Sequence, residues 1–361
     1  MSVLALGTTG WGAHEEFGQV DAAGAARQVA MALDAGINLF DTAETYGDGR
    51  CEEMLGEALS SRRDDAVIAT KVFFGTSESP DAGLSRGHVL RSCDDSLRRL
   101  RTDRIDLLQM HGWDGTIPLE ETLSALDELV TSGKVLHVGV SNWSAWHLMK
   151  ALGIAGRDDT PRFVSQQIYY SLQAREAELE LVPLALDQGM SILVWSPLAG
   201  ALLTGRWRRG APPPEGTRRT QGWPDPPIYD EEKLWRTIDV LVEFAEQRKR
   251  GVAQIALAYL LHKPGVTSLV IGARTDEHLA QNIPAADLSL DDDEIRRLDD
   301  VSAPQLLYPY WWQAKYDDRL GEADLALLGR YRDIPAPDGL HRPLPGFDVM
   351  PGRSRGGDGA S

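Results

Sequence analysis

Eight short runs of aliphatic and β-branched residues recur along this chain, and segments with helical periodicity alternate with them. Polar and apolar residues do not alternate within the runs, so the predicted strands should be buried on both faces, as in a parallel sheet. This order of elements is typical of the α/β class. The predicted strands are Val3–Gly7, Ile37–Asp41, Val67–Lys71, Leu107–His111, Val135–Ser141, Val164–Ile168, Ser191–Trp195 and Thr267–Gly272.

Two of the intervening segments carry clear signals for the start and the end of a helix. The segment from Pro118 to Val130 places its leucines on one stripe, with proline at its start and Gly133 just past its end. The segment from Asp21 to Ala35 ends at Gly36, a natural left-handed cap. Both segments are predicted to be helices.

The strand–helix units follow one another without a break in composition, which predicts a single (β/α)8 TIM barrel. A doubly wound sheet is the weaker alternative, because Gly7–Gly12 has the wrong glycine spacing for the dinucleotide-binding fingerprint. The barrel is expected to occupy residues 1–332, with a long loop at 206–229 and a C-terminal excursion at 304–332. Residues 333–361 are rich in proline and glycine and are expected to form a flexible tail.

Composition argues against several classes of function. The formal net charge of −17 and the isoelectric point near 4.9 disfavour nucleic acid as a partner, because its phosphates would be repelled. No apolar stretch approaches the ~20 residues that span a bilayer, and no signal-peptide pattern is present, so a cytoplasmic protein without a membrane partner is expected. Cys51 and Cys93 cannot form a disulfide framework and are expected to be small, unreactive thiols. No metal is expected, because no His-x-His pair stands at the strand ends.

Four ionisable side chains stand at, or soon after, the ends of predicted strands. Asp41, Lys71 and His111 each close an apolar run, and Tyr46 follows Asp41 by five residues. Functional residues in a (β/α)8 barrel gather at the carboxyl ends of its strands. We therefore expect all four side chains to project from one rim toward one point.

These four residue types suit the delivery of a proton to a carbonyl oxygen. A tyrosine holds a proton at neutral pH, and a nearby ammonium favours the phenolate and so makes the phenol a better acid. A carboxylate behind the lysine keeps the lysine charged and oriented, and a histidine can donate a hydrogen bond that polarises the carbonyl. Taken singly, such an Asp is more often a cap, and such a Lys or His more often belongs to an ion pair. The combination at three strand ends favours chemistry.

Three segments around these side chains resemble the catalytic signatures of the aldo-keto reductases. Phe40–Gly47 is similar to the family's segment around its catalytic Asp and Tyr, Ala69–Lys71 to the segment that holds its Lys, and Asp106–His111 to the strand that ends in its His. The resemblance covers roughly residues 3 to 312 and points to the branch of potassium-channel β-subunit-like and bacterial members. It implies an oxidoreductase that reduces an aldehyde or ketone, such as a sugar or natural-product carbonyl, to an alcohol by hydride transfer. The implied catalytic residues are Asp41, Lys71, His111 and, as proton donor, Tyr46.

Further segments resemble the family's cofactor-binding elements. The resemblance implies that Asn142 and Gln167 contact the nicotinamide carboxamide, that Trp195 stacks on the nicotinamide, and that backbone N–H groups near Thr275 suit a phosphate. The implied cofactor-binding residues are Gly7, Thr8, Asp41, Ser141, Asn142, Gln167, Trp195, Ser196, Pro197, Leu198, Gly200, Leu203, Arg206, Ile271, Gly272, Ala273, Arg274, His278, Gln281 and Asn282.

The implied cofactor is NADP(H). Arg274 could pair with a 2′-phosphate, which favours NADPH over NADH. NAD(H) stays open, because this chain lacks a lysine at Gly272 and because His278 stands where other members often have Gln or Arg. Arg206 would either bridge the pyrophosphate or be one more solvated arginine.

Aromatic residues on the predicted rim are the expected substrate contacts, together with Tyr46 and His111. Trp11 follows the first strand, Phe73 the third and Trp113 the fourth. Aromatic walls suit a flat or sugar-like face. The expected partner is a small-molecule carbonyl compound, and the sequence leaves the oligomeric state open.

One alternative function belongs to a different class. The chain could be a cofactor-binding, redox-sensing regulatory subunit with little turnover, like the channel-associated β subunits that this branch resembles. The presence of all four catalytic residue types favours the enzyme.

Overall fold

Eight parallel strands close into a barrel in the order in which they occur along the chain. The structure is a computed structural model that describes residues 1–12, 20–215, 217, 219–221, 226–314 and 319–326. The strands are β1 (Leu4–Gly7), β2 (Leu39–Asp41), β3 (Val67–Val72), β4 (Ile105–Met110), β5 (Val135–Ser141), β6 (Ser165–Tyr169), β7 (Ser191–Trp195) and β8 (Val266–Gly272). The predicted (β/α)8 fold is confirmed, and the doubly wound alternative is not adopted.

Helices follow the strands around the outside of the barrel. They are α1 (Ala22–Asp34), α2 (Arg50–Ala58), α3 (Arg86–Leu100), α4 (Leu119–Thr131), α5 (Ala145–Asp158), α6 (Leu181–Gln188), α7 (Glu231–Arg248), α8 (Val252–Leu261), α9 (Asp276–Asn282), α10 (Asp292–Ser302), α11 (Tyr310–Gln313) and α12 (Glu322–Leu325). Short 3₁₀ turns lie at Tyr46–Gly49, Arg63–Asp65, Glu176–Glu178, Ala199–Thr204, Arg219–Gln221 and Ile283–Asp287. Within the described part of the chain, no helix is long and apolar enough to cross a membrane.

Local sequence signals set the helix ends. The carboxylate of Asp21 accepts a hydrogen bond from Gly24 N at 2.7 Å and so satisfies one of the unpaired N–H groups at the start of α1. Gly36 and Gly133 follow α1 and α4 with φ of 80° and 76°, a backbone conformation that favours glycine. The two helices predicted from the sequence are confirmed within two residues at each end.

A small apolar cluster fills the inside of the barrel and forms the floor of the site. It consists of Ala5, Leu39, Ala69, Leu107 and Leu193. Side chains two residues apart on a strand share a face, so the residues two positions later also point into the barrel. These residues are Gly7, Asp41, Lys71, Gln109 and Trp195. A layer of mostly polar side chains therefore lies directly above an apolar floor, at the carboxyl ends of the strands.

The end of β4 differs from the prediction. His111 does not close β4, as was predicted, but lies one residue past it, where its N–H donates to Val72 O at 3.0 Å. In the region of the C-terminal excursion, Tyr310 packs against Leu179. The predicted tail, residues 333–361, and parts of the predicted loop at 206–229 lie outside the described residues.

Both cysteines are buried, as expected for structural thiols. Burial raises the pKa of Cys51 and of Cys93 to about 12, and neighbouring acidic side chains act in the same direction. Among the described residues, no group of three or more His, Cys, Asp or Glu side chains could hold a metal ion.

Candidate active site

Lys71 is the centre of the polar layer above the barrel floor. Its Nζ donates to Asp41 Oδ2 at 2.6 Å, to Thr42 O at 2.8 Å and to the Tyr46 hydroxyl at 3.2 Å. Strand β3 supplies the lysine and strand β2 the aspartate, and the turn after β2 brings the tyrosine back over the barrel mouth. The structure therefore brings together three of the four residues predicted from the sequence.

The ammonium form of Lys71 is stabilised although the side chain is only 1% exposed. Burial acts to lower the pKa of Lys71, but the charge of Asp41 and the contacts with Asp41 and Tyr46 outweigh burial and raise it above its usual value. The second carboxylate oxygen of Asp41 accepts from Gln167 Nε2 at 2.6 Å and, more weakly, from Gln109 Nε2 at 3.5 Å. Lysine and aspartate thus form a buried, hydrogen-bonded ion pair, the arrangement that buried charges require.

His111 is the fourth predicted residue, and its ring lies beside the ring of Tyr46. The two ring centres are 5.7 Å apart and meet edge to face. Burial, together with the positive charge of Lys71, lowers the pKa of His111 to about 3. Its Nδ1 is buried and has no hydrogen-bond partner within the described part of the chain. At neutral pH this imidazole is therefore uncharged, and it can exchange a hydrogen bond with a bound molecule.

The comparisons with known proteins agree with this geometry. A model of the Aldo/keto reductase family matches residues 3–303. This chain belongs to that family. Its relatives include the "Uncharacterized oxidoreductase YrpG" of Bacillus subtilis, which is 37% identical over 83% of this chain and 92% of the relative. A "Probable voltage-gated potassium channel subunit beta" of Arabidopsis thaliana is 34% identical over 80% of this chain and 89% of that protein. The "Versiconal hemiacetal acetate reductase" of Aspergillus parasiticus is 31% identical over 86% of this chain and 96% of that protein. Family membership and the oxidoreductase relatives support carbonyl reduction in general terms.

The predicted cofactor residues lie at or after the ends of β1, β2 and β5 to β8, with varied exposure. Nine are buried, namely Gly7, Thr8, Ser141, Gln167, Pro197, Leu203, Ile271, Ala273 and Asn282, in addition to Asp41. Five are half-buried, namely Trp195, Ser196, Leu198, Gly200 and Arg274. Five are exposed, namely Asn142, Arg206, Gly272, His278 and Gln281.

At the expected nicotinamide end, Asn142 links the segment after β4 to the end of β7. It donates from Nδ2 to His111 O at 3.2 Å and accepts from Trp195 Nε1 at 3.0 Å. The indole of Trp195 in turn lies 4.9 Å from the ring of Tyr169. The hydroxyl of Ser141 is buried without a hydrogen-bond partner in the described residues. An unpartnered buried hydroxyl suits a ligand with an amide group, which can both donate and accept.

At the expected phosphate end, two arginines lie close enough to influence each other. Burial and the positive charge of Arg206 lower the pKa of Arg274. Arg206 is exposed and donates to Glu215 O at 2.9 Å. At the N-terminus of α9, the Thr275 side chain accepts from His278 N at 3.2 Å, so one of the N–H groups at the start of this helix already has a partner.

The loop after β7 has an unusual backbone. Ser196, Ala199, Gly200, Ala201 and Gly205 all have positive φ, between 49° and 81°. Side chains rarely adopt this region, because Cβ crowds the following carbonyl. Such a run is found where the backbone itself must approach a ligand, and it coincides with the segment expected to wrap the pyrophosphate.

Trp11 does not occupy the position expected of a substrate contact. Its side chain is 0% exposed, and its Nε1 donates to Gln28 Oε1 of α1 at 3.0 Å. The indole is therefore part of the core in this structure, and the expectation that it lines the substrate space is wrong here. Phe73 and Trp113 are half-buried and remain candidates. The ring of Trp113 stacks on His147 at 3.8 Å, so part of its surface is already covered.

Two residues at the site escaped sequence reasoning. Gln109 points into the barrel two positions above Leu107, but its amide gave no motif signal. Phe74 also lies beside the catalytic centre, because its ring lies 5.1 Å from that of His111 and is 53% exposed. The pair of phenylalanines was visible in the sequence, but both follow the end of β3, where the strand pattern gives no orientation.

Proposed function

We propose that this chain is an NADP(H)-dependent reductase of aldehydes or ketones, with Tyr46 as the proton donor. The observation that carries the proposal is the position of Lys71 Nζ, which contacts both Asp41 Oδ2 at 2.6 Å and the Tyr46 hydroxyl at 3.2 Å. A phenol next to a buried, paired ammonium at the mouth of a barrel is suited to protonate a bound oxygen.

The chain's own residues account for the proton. A bound nicotinamide would supply the hydride that reaches the carbonyl carbon. Tyr46 gives its hydroxyl proton to the carbonyl oxygen, and Lys71 stabilises the phenolate that remains. Asp41 keeps Lys71 charged and oriented throughout. With a pKa of about 3, His111 is uncharged at neutral pH, so it polarises the carbonyl by a hydrogen bond and does not supply the proton.

The proposed cofactor contacts follow from the positions described above. Ser141, Asn142 and Gln167 would hold the nicotinamide carboxamide, with Trp195 against the ring. Arg206 and Arg274 carry like charges close together, and an anion between them would relieve their repulsion. A phosphate group is an anion of this kind, which supports NADPH as the preferred form.

The regulatory alternative has less support. Relatives named as probable potassium channel β subunits keep it open. A site that only signals the redox state of its cofactor does not need a phenol held 3.2 Å from a buried ammonium. The relatives named as an oxidoreductase and as a reductase favour turnover. The substrate is proposed only as a small carbonyl compound.

The first test is a titration of the purified protein with NADPH and with NADH, followed by tryptophan fluorescence. Binding should quench fluorescence if Trp195 lies against the nicotinamide. Arg274→Ala should weaken NADPH about tenfold, the loss of one charge-assisted contact at a half-exposed position, and should leave NADH within twofold. Arg209→Ala is the matched control, because Arg209 pairs with Glu232 in an exposed ion pair. If neither nucleotide binds to the folded protein, the proposed function is wrong.

A further inference from the structure

Glu44 is a buried carboxylate that the reaction described above does not use. It lies two residues before Tyr46 in the turn after β2 and is 1% exposed. Its Oε1 accepts hydrogen bonds from Phe73 N at 2.6 Å and from Gly75 N at 3.0 Å. Its own N–H donates to Lys71 O at 3.2 Å. One side chain therefore joins the turn that carries the proposed proton donor to the loop that follows β3.

Helix α3 supplies the remaining surroundings of this carboxylate. His88 Nε2 lies 3.7 Å from Glu44 Oε1, and Ser92 Oγ lies 3.4 Å from the same imidazole nitrogen. Burial tends to raise the pKa of Glu44, but the nearby His88 side chain and the hydrogen bonds from the two backbone N–H groups outweigh it and hold the pKa below its usual value. Glu44 is therefore a carboxylate at neutral pH, able to accept from several donors at once.

The loop that Glu44 holds carries a residue of the substrate side. Phe74 stands between the two N–H donors, and its ring meets that of His111 at 5.1 Å with an angle of 77° between the planes. The backbone passes close to Asp81 at Gly75, where φ is 72° and an added Cβ would lie 2.3 Å from Asp81 O. Loss of the Glu44 carboxylate would leave the N–H groups on both sides of Phe74 without their acceptor.

We propose that Glu44 is a positioning residue for carbonyl reduction, which fixes the Phe73–Gly75 loop so that Phe74 forms a wall of the substrate space beside His111. The proposal rests on the proposed reductase function. The Glu44 carboxylate accepts from the loop after β3 and lies beside His88 of α3, and its partners in the described residues include none of those expected to hold the cofactor. Its loss should therefore act on the carbonyl substrate and spare the nucleotide.

Hydrogen exchange tests the anchor without any substrate. In Glu44→Ala, the amides of Phe73 and Gly75 lose their acceptor, so their exchange should be at least tenfold faster than in the wild type. Glu44→Gln keeps a carbonyl oxygen at the same place and should restore most of the protection. Glu57→Ala is the matched control, because Glu57 is a half-exposed carboxylate whose nearest cation, Arg101, lies 3.8 Å away. Unchanged exchange in Glu44→Ala would overturn the proposal whether or not the protein reduces carbonyls.

Kinetics test the consequence. Glu44→Ala should lower kcat/KM for a carbonyl substrate on the order of 100-fold, as displacement of a substrate wall by about 1 Å can do, while the Kd for NADPH stays within twofold. Phe74→Ala removes an exposed ring and does not endanger folding, and it should lower kcat/KM in the same way. If Glu44 acts through Phe74, the double variant should lose much less than the two single losses combined.

Additive losses in the double variant, or a change below twofold in Phe74→Ala, would refute the positioning role. The second criterion decides the matter even if Glu44→Ala does not fold. If the wild-type protein binds NADPH but reduces none of a panel of aldehydes and ketones, the proposed function fails instead, and the exchange result still shows whether the anchor exists.

Discussion

Replacing Tyr46 with phenylalanine removes one hydroxyl and changes little else in the site. That hydroxyl contacts Lys71 Nζ at 3.2 Å, and the lysine keeps its shorter bonds to Asp41 at 2.6 Å and to Thr42 O at 2.8 Å. The buried ammonium therefore stays paired after the substitution. We expect the free energy of unfolding to fall by about 1 kcal/mol or less, the usual worth of one hydrogen bond.

The effect on turnover should be far larger. General acid catalysis by one positioned side chain contributes roughly 10²–10⁴-fold, equivalent to about 3–5 kcal/mol of activation free energy. His111 cannot replace the phenol, because a pKa of about 3 lies some four units below neutral pH and leaves about one molecule in 10⁴ protonated. Carbonyl reduction by Tyr46→Phe should therefore fall by at least 100-fold.

Three measurements on one preparation separate these effects. Single-turnover oxidation of NADPH in the presence of a carbonyl substrate gives the rate of the chemical step, fluorescence titration gives the Kd for NADPH, and urea unfolding gives the stability. Tyr229→Phe is the matched control, because Tyr229 is 85% exposed. If Tyr46→Phe reduces the substrate at the wild-type rate with an unchanged Kd, Tyr46 is not the proton donor and the proposed mechanism is wrong.

Two further predictions concern buried charges. Lys71→Met should abolish reduction and lower the free energy of unfolding by about 3–5 kcal/mol, because Asp41 would be left buried without its cation; an unchanged stability would show that the pair is not buried as described. Burial and the charge of Arg175 lower the pKa of Lys263 from 10.5 to about 8. Between these two pH values Lys263 is protonated in the unfolded chain but not in the folded protein. The free energy of unfolding should therefore rise with pH over this range, by up to about 3 kcal/mol. Lys263→Met should lack this rise, so the free energy of unfolding of the wild type minus that of the variant, measured in urea, should increase between pH 8 and 10.5. A difference that stays constant over this range would contradict the assignment.

The barrel could be predicted because its signal is local. Each strand is an apolar run a few residues long, and β5 and β7 begin and end where the runs do. The other strand limits shift by up to two residues, because the last pairing depends on the neighbouring strand and not on the run itself. The relation between Asp41 and Lys71 was also predictable, since both close predicted strands and both lie two positions after apolar residues of the barrel floor.

The errors at the site came from contacts between residues distant in the chain. Trp11 looked like a rim residue, but its partner Gln28 lies on α1 and draws the indole into the core. Phe74 was missed because both phenylalanines follow Val72, the last residue of β3, so the strand pattern does not place their rings. The loop that carries them is held by Glu44, which lies 29 residues earlier in the chain.

The side chain of Gln167 has both a predicted contact, with the nicotinamide, and an observed contact, with Asp41. Sequence resemblance assigns its amide to the nicotinamide, whereas the structure shows Nε2 donating to Asp41 Oδ1 at 2.6 Å. A glutamine amide carries two N–H donors and a carbonyl acceptor, so the bond to Asp41 occupies only one of them. Ser141 is paired with Gln167 in the sheet and has a buried hydroxyl without a partner among the described residues. The two side chains can therefore receive a carboxamide while Gln167 continues to hold Asp41, which would couple the position of the cofactor directly to the ion pair that orients Lys71.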